Sequence, residues 1–160
     1  MMRTRPLGEP SYSGLPSDTL HPMTTQQRSF RLSIETLGLL DREADRAGES
    51  RNAMADRLLG EALRGERHPL VRFHQGAGGR RQPLLVGTRL YVHQVVETVK
   101  ASNGSLDDAA SYFSVPARVV RAALDYYGDF ADEVDADAEA ARRAEDDERG
   151  RSARRERALG

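Results

Sequence analysis

Arginine supplies most of the side chains in this 160-residue chain that could act on a charged partner, since Lys100 is the only lysine. A guanidinium offers planar, bidentate contacts to phosphate, guanine or carboxylate that an ammonium does not. Acid–base or nucleophilic chemistry finds no comparable support. The four histidines, His21, His68, His74 and His93, fall in separate segments. None stands with an acid and a nucleophile at a recognisable spacing. No HExxH or paired-histidine spacing occurs, so no metal site is expected. The run Gly76-Ala77-Gly78-Gly79-Arg80-Arg81 lacks the Lys-Ser/Thr ending of a P-loop and reads as a hairpin loop. The chain is therefore expected not to be an enzyme and to need no cofactor.

Composition narrows the setting. There is no cysteine, which excludes disulfides and thiolate zinc sites and suits a reducing cytoplasm. The chain is 38% hydrophobic and 31% charged, polar enough that part of it is expected to be solvated or to dock on a partner. A formal net charge of −1 hides a separation: acids crowd residues 129–148 and arginines dominate 149–157. No apolar run approaches the length of a membrane span, and the N-terminus has no apolar core of a secretory signal. A cytoplasmic location and no membrane partner are expected. Residues 1–25, rich in Pro, Gly, Ser and Thr without periodicity, read as a disordered arm, and Met23 just ahead of the organised sequence is a candidate start.

The elements that would position the arginines begin at residue 26. Residues 28–33 alternate, with Phe30 and Leu32 on one side and Ser29, Arg31 and Ser33 on the other, as in a half-buried strand. Ser33 stands where a helix N-cap is expected, followed by Leu37, Leu40, Ala44 and Ala47 at helical spacing. Gly48 supplies a left-handed stop. Ser50 caps a second helix whose expected buried face is Met54, Ala55, Leu58, Leu59, Ala62 and Leu63. One strand and two short helices cannot close a core alone, so a second copy of the chain is expected, with the two strands paired as a ribbon. Such a ribbon fits the major groove of DNA.

After a linker at 65–68, a strand at 70–73 and the glycine loop lead into residues 83–92, read as a strand, a glycine turn and a second short strand. A helix with Val92, Val95, Val96 and Val99 on one face follows and stops at Gly104. Ser105 with Asp108 forms an N-cap arrangement for the next helix, lined by Leu106, Ala109, Ala110 and Phe113. Val115-Pro116 marks a tight turn. Val119, Val120, Ala123, Leu124 and Tyr127 continue as a third helix, completing a helix-turn-helix outline. That outline could pack and dimerise, or touch DNA through Arg118 and Arg121. Beyond it, Phe130, Val134, Ala138 and Ala141 recur sparsely among acids, as in a solvated helix or one that docks through a thin apolar stripe.

The first of these stretches resembles the ribbon-helix-helix family of repressors and antitoxins, the Arc, MetJ and CopG type. The resemblance covers about a quarter of the chain and rests on the strand Ser29-Phe30-Arg31-Leu32-Ser33 and the interhelix turn Gly48, Ser50, Arg51, Asn52, Ala53 and Met54. It implies that alternate ribbon residues Gln27, Ser29 and Arg31 read base edges. It also implies that the amides of Arg51 and Asn52, beside Ser50, hold a phosphate at the start of the second helix. Arg31 is the strongest candidate, able to bond guanine O6 and N7 together. Many members have proline where this chain has Ile34.

The later stretch resembles a family of small prokaryotic domains related to VapB-type antitoxins. The matching residues are Pro83, Gly87-Thr88-Arg89, Val92, Asp107-Asp108-Ala109-Ala110 and Val120-Arg121-Ala122-Ala123-Leu124-Asp125-Tyr126-Tyr127, with Asp132-Glu133-Val134-Asp135 beyond. The match covers about half the chain, and the combination is more specific than any one piece. The usual Ile after the Gly-Thr-Arg triplet is Leu90 here. Arg89 is expected to buttress its turn or, less simply, to meet a partner. The resemblance implies a PIN-domain ribonuclease toxin as partner, gripped by the tail through Phe130, Val134, Arg142, Arg143 and Arg149. Arginines there would satisfy the carboxylates that hold the nuclease's magnesium ion.

The fold class expected is mainly α with short β. It comprises a dimeric ribbon-helix-helix unit over 26–66, a β-hairpin with a helix-turn-helix-like three-helix unit over 70–127, and a charged helical tail over 128–160. The function expected is a type II antitoxin: a homodimeric transcriptional repressor on double-stranded operator DNA that neutralises its toxin. A stand-alone regulator with a ligand- or protein-sensing C-terminal unit is the alternative.

Overall fold

Three serines start three of the helices. A computed structural model describes residues 28–76 and 79–159. In it Ser33, Ser50 and Ser105 take extended backbone, and each hydroxyl accepts from the amide three residues on, that of Thr36 (3.1 Å), Ala53 (3.2 Å) and Asp108 (3.2 Å). This is the N-cap geometry their side chains favour. The helices are α1 (Ile34–Ala47), α2 (Arg51–Arg67), α3 (Val92–Ala101), α4 (Leu106–Phe113), α5 (Ala117–Asp129) and α6 (Ala131–Leu159). Gly48 closes α1 at φ 66°, a conformation that suits glycine, and its amide and that of Glu49 return to the last carbonyls of the helix.

Between α2 and α3 lies an antiparallel hairpin of β1 (Val71–Gln75) and β2 (Arg81–Leu85), in register from Val71 opposite Leu85 to Gln75 opposite Arg81. The chain is thus mainly helical with a small two-stranded sheet. The second strand expected after Gly87 shrinks to one bridge, Leu84 with Tyr91. That turn is buttressed by Thr88, whose hydroxyl donates to the Leu85 carbonyl (2.8 Å) and accepts from the Leu90 amide (3.0 Å). Arg89, the residue expected to do this, stands exposed without a hydrogen bond or ion pair among the described residues. The shorter side chain wins because a hydroxyl two residues from its target needs no long stem to be ordered.

The core is built on the valine face of α3. Val92, Val95, Val96 and Val99 are buried with Ala109, Val120, Ala123, Tyr126 and Val134, and Val71 and Leu85 of the hairpin close one side. At a period of 3.6 these positions fall on the inward faces of α3, α5 and α6. Tyr126, not Tyr127, is the fully buried member of its pair. Its ring lies 4.8 Å from Phe130 and 5.1 Å from His68, and its hydroxyl donates to Glu133 at 3.0 Å.

One further expectation is corrected, and two concern surfaces that a single chain leaves open. Residues 65–68 are no linker: α2 runs unbroken through Gly65 to Arg67, and His68 is its C-cap. Residues 28–33 pair with no strand of the same chain among the described residues; the pairing expected of them is with a second copy. Leu37, Leu58, Leu59, Ala62 and Leu63 are not buried within a single chain. Helices α1 and α2 meet through buried Ala44 and Met54, and Leu37, Leu58, Leu59 and Leu63 are left 43%, 42%, 51% and 61% exposed.

Candidate functional site

The N-terminal candidates lie at two ends of one helix. Ser29 and Arg31 precede α1, are exposed, and make no hydrogen bond or ion pair among the described residues. Gln27 lies outside the described residues, as do residues 1–25. Ser50, Arg51 and Asn52 follow α1. Arg31 precedes and Ser50 follows the 14-residue α1, a helix roughly 21 Å long. A single copy therefore does not bring these groups together.

The start of α2 is open to an anion in electrostatic character. Its first turn contains no acid, and Ser50 uses its hydroxyl on the Ala53 amide. The amides of Arg51 and Asn52 are left as the free donors of that helix end. The Arg51 side chain leans back on Asp41 at 2.6 Å, while Asn52 is exposed.

The far end of α2 is clamped to the C-terminal unit. Arg64 sits between the rings of Phe73 (5.0 Å) and Phe130 (5.5 Å) and binds Glu133. Arg67 and His68 both bind the Asp129 carboxylate, at 2.6 and 2.9 Å. The Arg67 guanidinium first, then His68, holds the Asp129 pKa below the ordinary carboxylate value. Arg81 of β2 reaches back to Glu61 at 2.7 Å. An open groove of about 920 Å³ runs beside this clamp, lined by Arg57, Glu61, Arg64, Phe73, Arg81 and Glu133 among others. Each of these arginines is already matched to an acid of the chain, so the groove offers no free cation to an anionic ligand.

The tail residues divide. Val134 is 1% exposed within the chain's own core, and Phe130 is half-buried against Tyr126. The thin stripe is folded inward, because α3 supplies an apolar surface for it within the chain. Arg142 pairs with Glu97 of α3, Arg143 with Glu139 (3.5 Å), and Arg149 with Glu145 (3.5 Å) and Asp146 (3.1 Å). Beyond residue 143 the helix carries almost wholly exposed polar side chains with i,i+3 and i,i+4 pairs of opposite charge.

One polar contact escaped the sequence reading. Asp137, in a run of acids, is 1% exposed, and neither of its oxygens accepts a hydrogen bond. It faces α3 and β2, where His93 is 6% exposed with an unpartnered Nδ1. Burial pushes the Asp137 pKa up and the His93 pKa down from their ordinary values. The signal was its position three residues after Val134, on the same helical face. Among the described residues no three His, Asp or Glu side chains converge as metal ligands, and no helix is long and apolar enough to cross a membrane. No protein-family model matches the chain, and no curated protein or solved structure is found similar to it.

Proposed function

We propose that the chain works as a homodimer that binds operator DNA through a ribbon formed by residues 28–33 of each copy. In this reading Ser29 and Arg31 contact base edges, and the α2 amides of Arg51 and Asn52, beside Ser50, receive a phosphate. The C-terminal unit binds a PIN-domain ribonuclease toxin, making the chain a type II antitoxin that represses its own promoter. One observation carries the reading. Eight of the twelve large apolar side chains left exposed among the described residues lie between Phe30 and Leu63, on the extended segment and on α1 and α2. So much uncovered apolar surface on one face-forming unit is what an interface supplies. A twofold-related copy also brings two ribbon segments together, which a single chain cannot.

The alternative reading, a stand-alone regulator with a sensing C-terminal unit, draws on the inward-folded Phe130 and Val134, which favour a built-in unit over a free tail. The test is a gel-shift series on the promoter-proximal DNA of the native operon. Ser29→Ala with Arg31→Ala should abolish sequence-specific binding while sedimentation still reports a dimer. Retained specific binding by that double variant would refute the ribbon as reader. Co-purification of a PIN-type nuclease with the full chain decides between the two readings.

A further inference from the structure

We propose that residues 131–142 of α6 are a releasable strap, seated on α3 and β2 by Val134 and Ala138 and kept loose by Asp137. The proposal does not depend on what the ribbon binds. Asp137 is buried with neither carboxylate oxygen accepting a geometrically complete hydrogen bond, and only Arg80 stands in ion-pair reach. A buried carboxylate without hydrogen bonds costs the folded state the desolvation of its charge. The groups around it offset little. Arg80 stands 3.5 Å from Oδ1, but its side chain is half exposed. The Gln82 amide is close enough to act on the carboxylate and hold its pKa down against burial. Gly76 leaves the room Gln82 needs, since a Cβ there would fall 2.0 Å from the amide oxygen. His93 adds a second unpartnered polar atom on the α3 side of the same contact.

The remaining ties of the strap are weak or peripheral. Asp135 takes Lys100 (3.4 Å) and the Tyr127 hydroxyl (3.2 Å), and Arg142 pairs with Glu97, all exposed contacts of a class worth little in water. The Glu133 contacts with Arg64 and Tyr126 lie at the strap's first turn, where they serve as a pivot. Past residue 143 the described residues give the helix no hydrogen bond or ion pair to another element. Release of α6 would bare Val134 and Ala138 together with the carboxylate.

Hydrogen exchange read by mass spectrometry on the full chain tests this. Amides of residues 131–142 should exchange at least tenfold faster than those of α3, although both helices contribute to one core. Asp137→Asn keeps the shape and removes the charge, and should slow exchange across 131–142 by about tenfold or more. Glu97→Gln, which removes only the exposed Arg142 pair, should change it less than threefold. Protection of wild-type 131–142 equal to that of α3 would overturn the proposal. So would unchanged or faster exchange in Asp137→Asn, or a loss of protection throughout that variant, since the carboxylate would then be a net contributor to stability.

Discussion

Changing Leu59 and Leu63 together to glutamine separates a chain that folds alone from one that folds as a pair. The two side chains are 51% and 61% exposed on successive turns of α2, so together they leave about one whole leucine uncovered per chain. Glutamine has a helix propensity close to that of leucine, so a lone α2 should lose only a few tenths of a kcal/mol. In a dimer, two copies lose the burial of about one leucine each. At about 2 kcal/mol per leucine, the interface loses about 4 kcal/mol, a weakening of self-association by roughly a thousandfold. Sedimentation equilibrium over a wide concentration range reads this directly, with far-UV circular dichroism confirming that the helices persist. A wild-type chain that stays monomeric at about 10 μM and above would refute the reasoning. So would a double variant that associates as tightly as the wild type.

Further outcomes follow from the same geometry. Operator affinity should fall steeply with salt, since each phosphate contact adds to the slope, and a flat titration by fluorescence anisotropy would argue for a pure protein adaptor. Tyr126→Phe removes the hydroxyl that donates to Glu133 at 3.0 Å and should lower stability in urea by about 0.5–1.5 kcal/mol, because Glu133 keeps Arg64. Acidification should weaken the fold through His93, whose pKa is held below 6.5 by burial: its contribution is present above the unfolded value and is lost as pH falls from there through the folded one. Asp137, with a raised pKa, works the other way as pH falls, and Glu97, Arg142 and Glu145 also face the imidazole. His93→Gln should therefore flatten the decline of Tm between about pH 7 and 5, and an unchanged slope would sink the assignment.

Local signals in the sequence were dependable where one residue decides one geometry. The serine caps, Gly48, and the valine face of α3 stand where propensity and period put them. Residues whose environment is set by a distant surface carry no such local signal. Gly65 looks like a break, yet α2 continues because Arg64, Arg67 and His68 are held by Phe73, Phe130 and Asp129, more than sixty residues away in the case of Asp129 and Glu133. Tyr126 and Tyr127 are indistinguishable until α5 has a fixed azimuth against α3. Asp137 reads as one more solvated acid until α6 docks. Leu58 and Leu63 follow the opposite logic. They have the spacing of buried residues and no surface within one chain to bury them. As for the candidate contacts, an alternating strand tells that Ser29 and Arg31 stand outward, but not how far α1 sets Arg31 from Ser50.

Helix α2 has no joint between Ser50 and His68. Over 17 residues it spans roughly 26 Å, with free amides at one end and, at the other, two aromatic rings and two carboxylates gripping its last turns. A rod held so firmly at one tip cannot tilt without swinging the other. Asp129, Phe130 and Glu133 therefore stand where a shift of the start of α6 would reach the far tip of α2 as well as the near one.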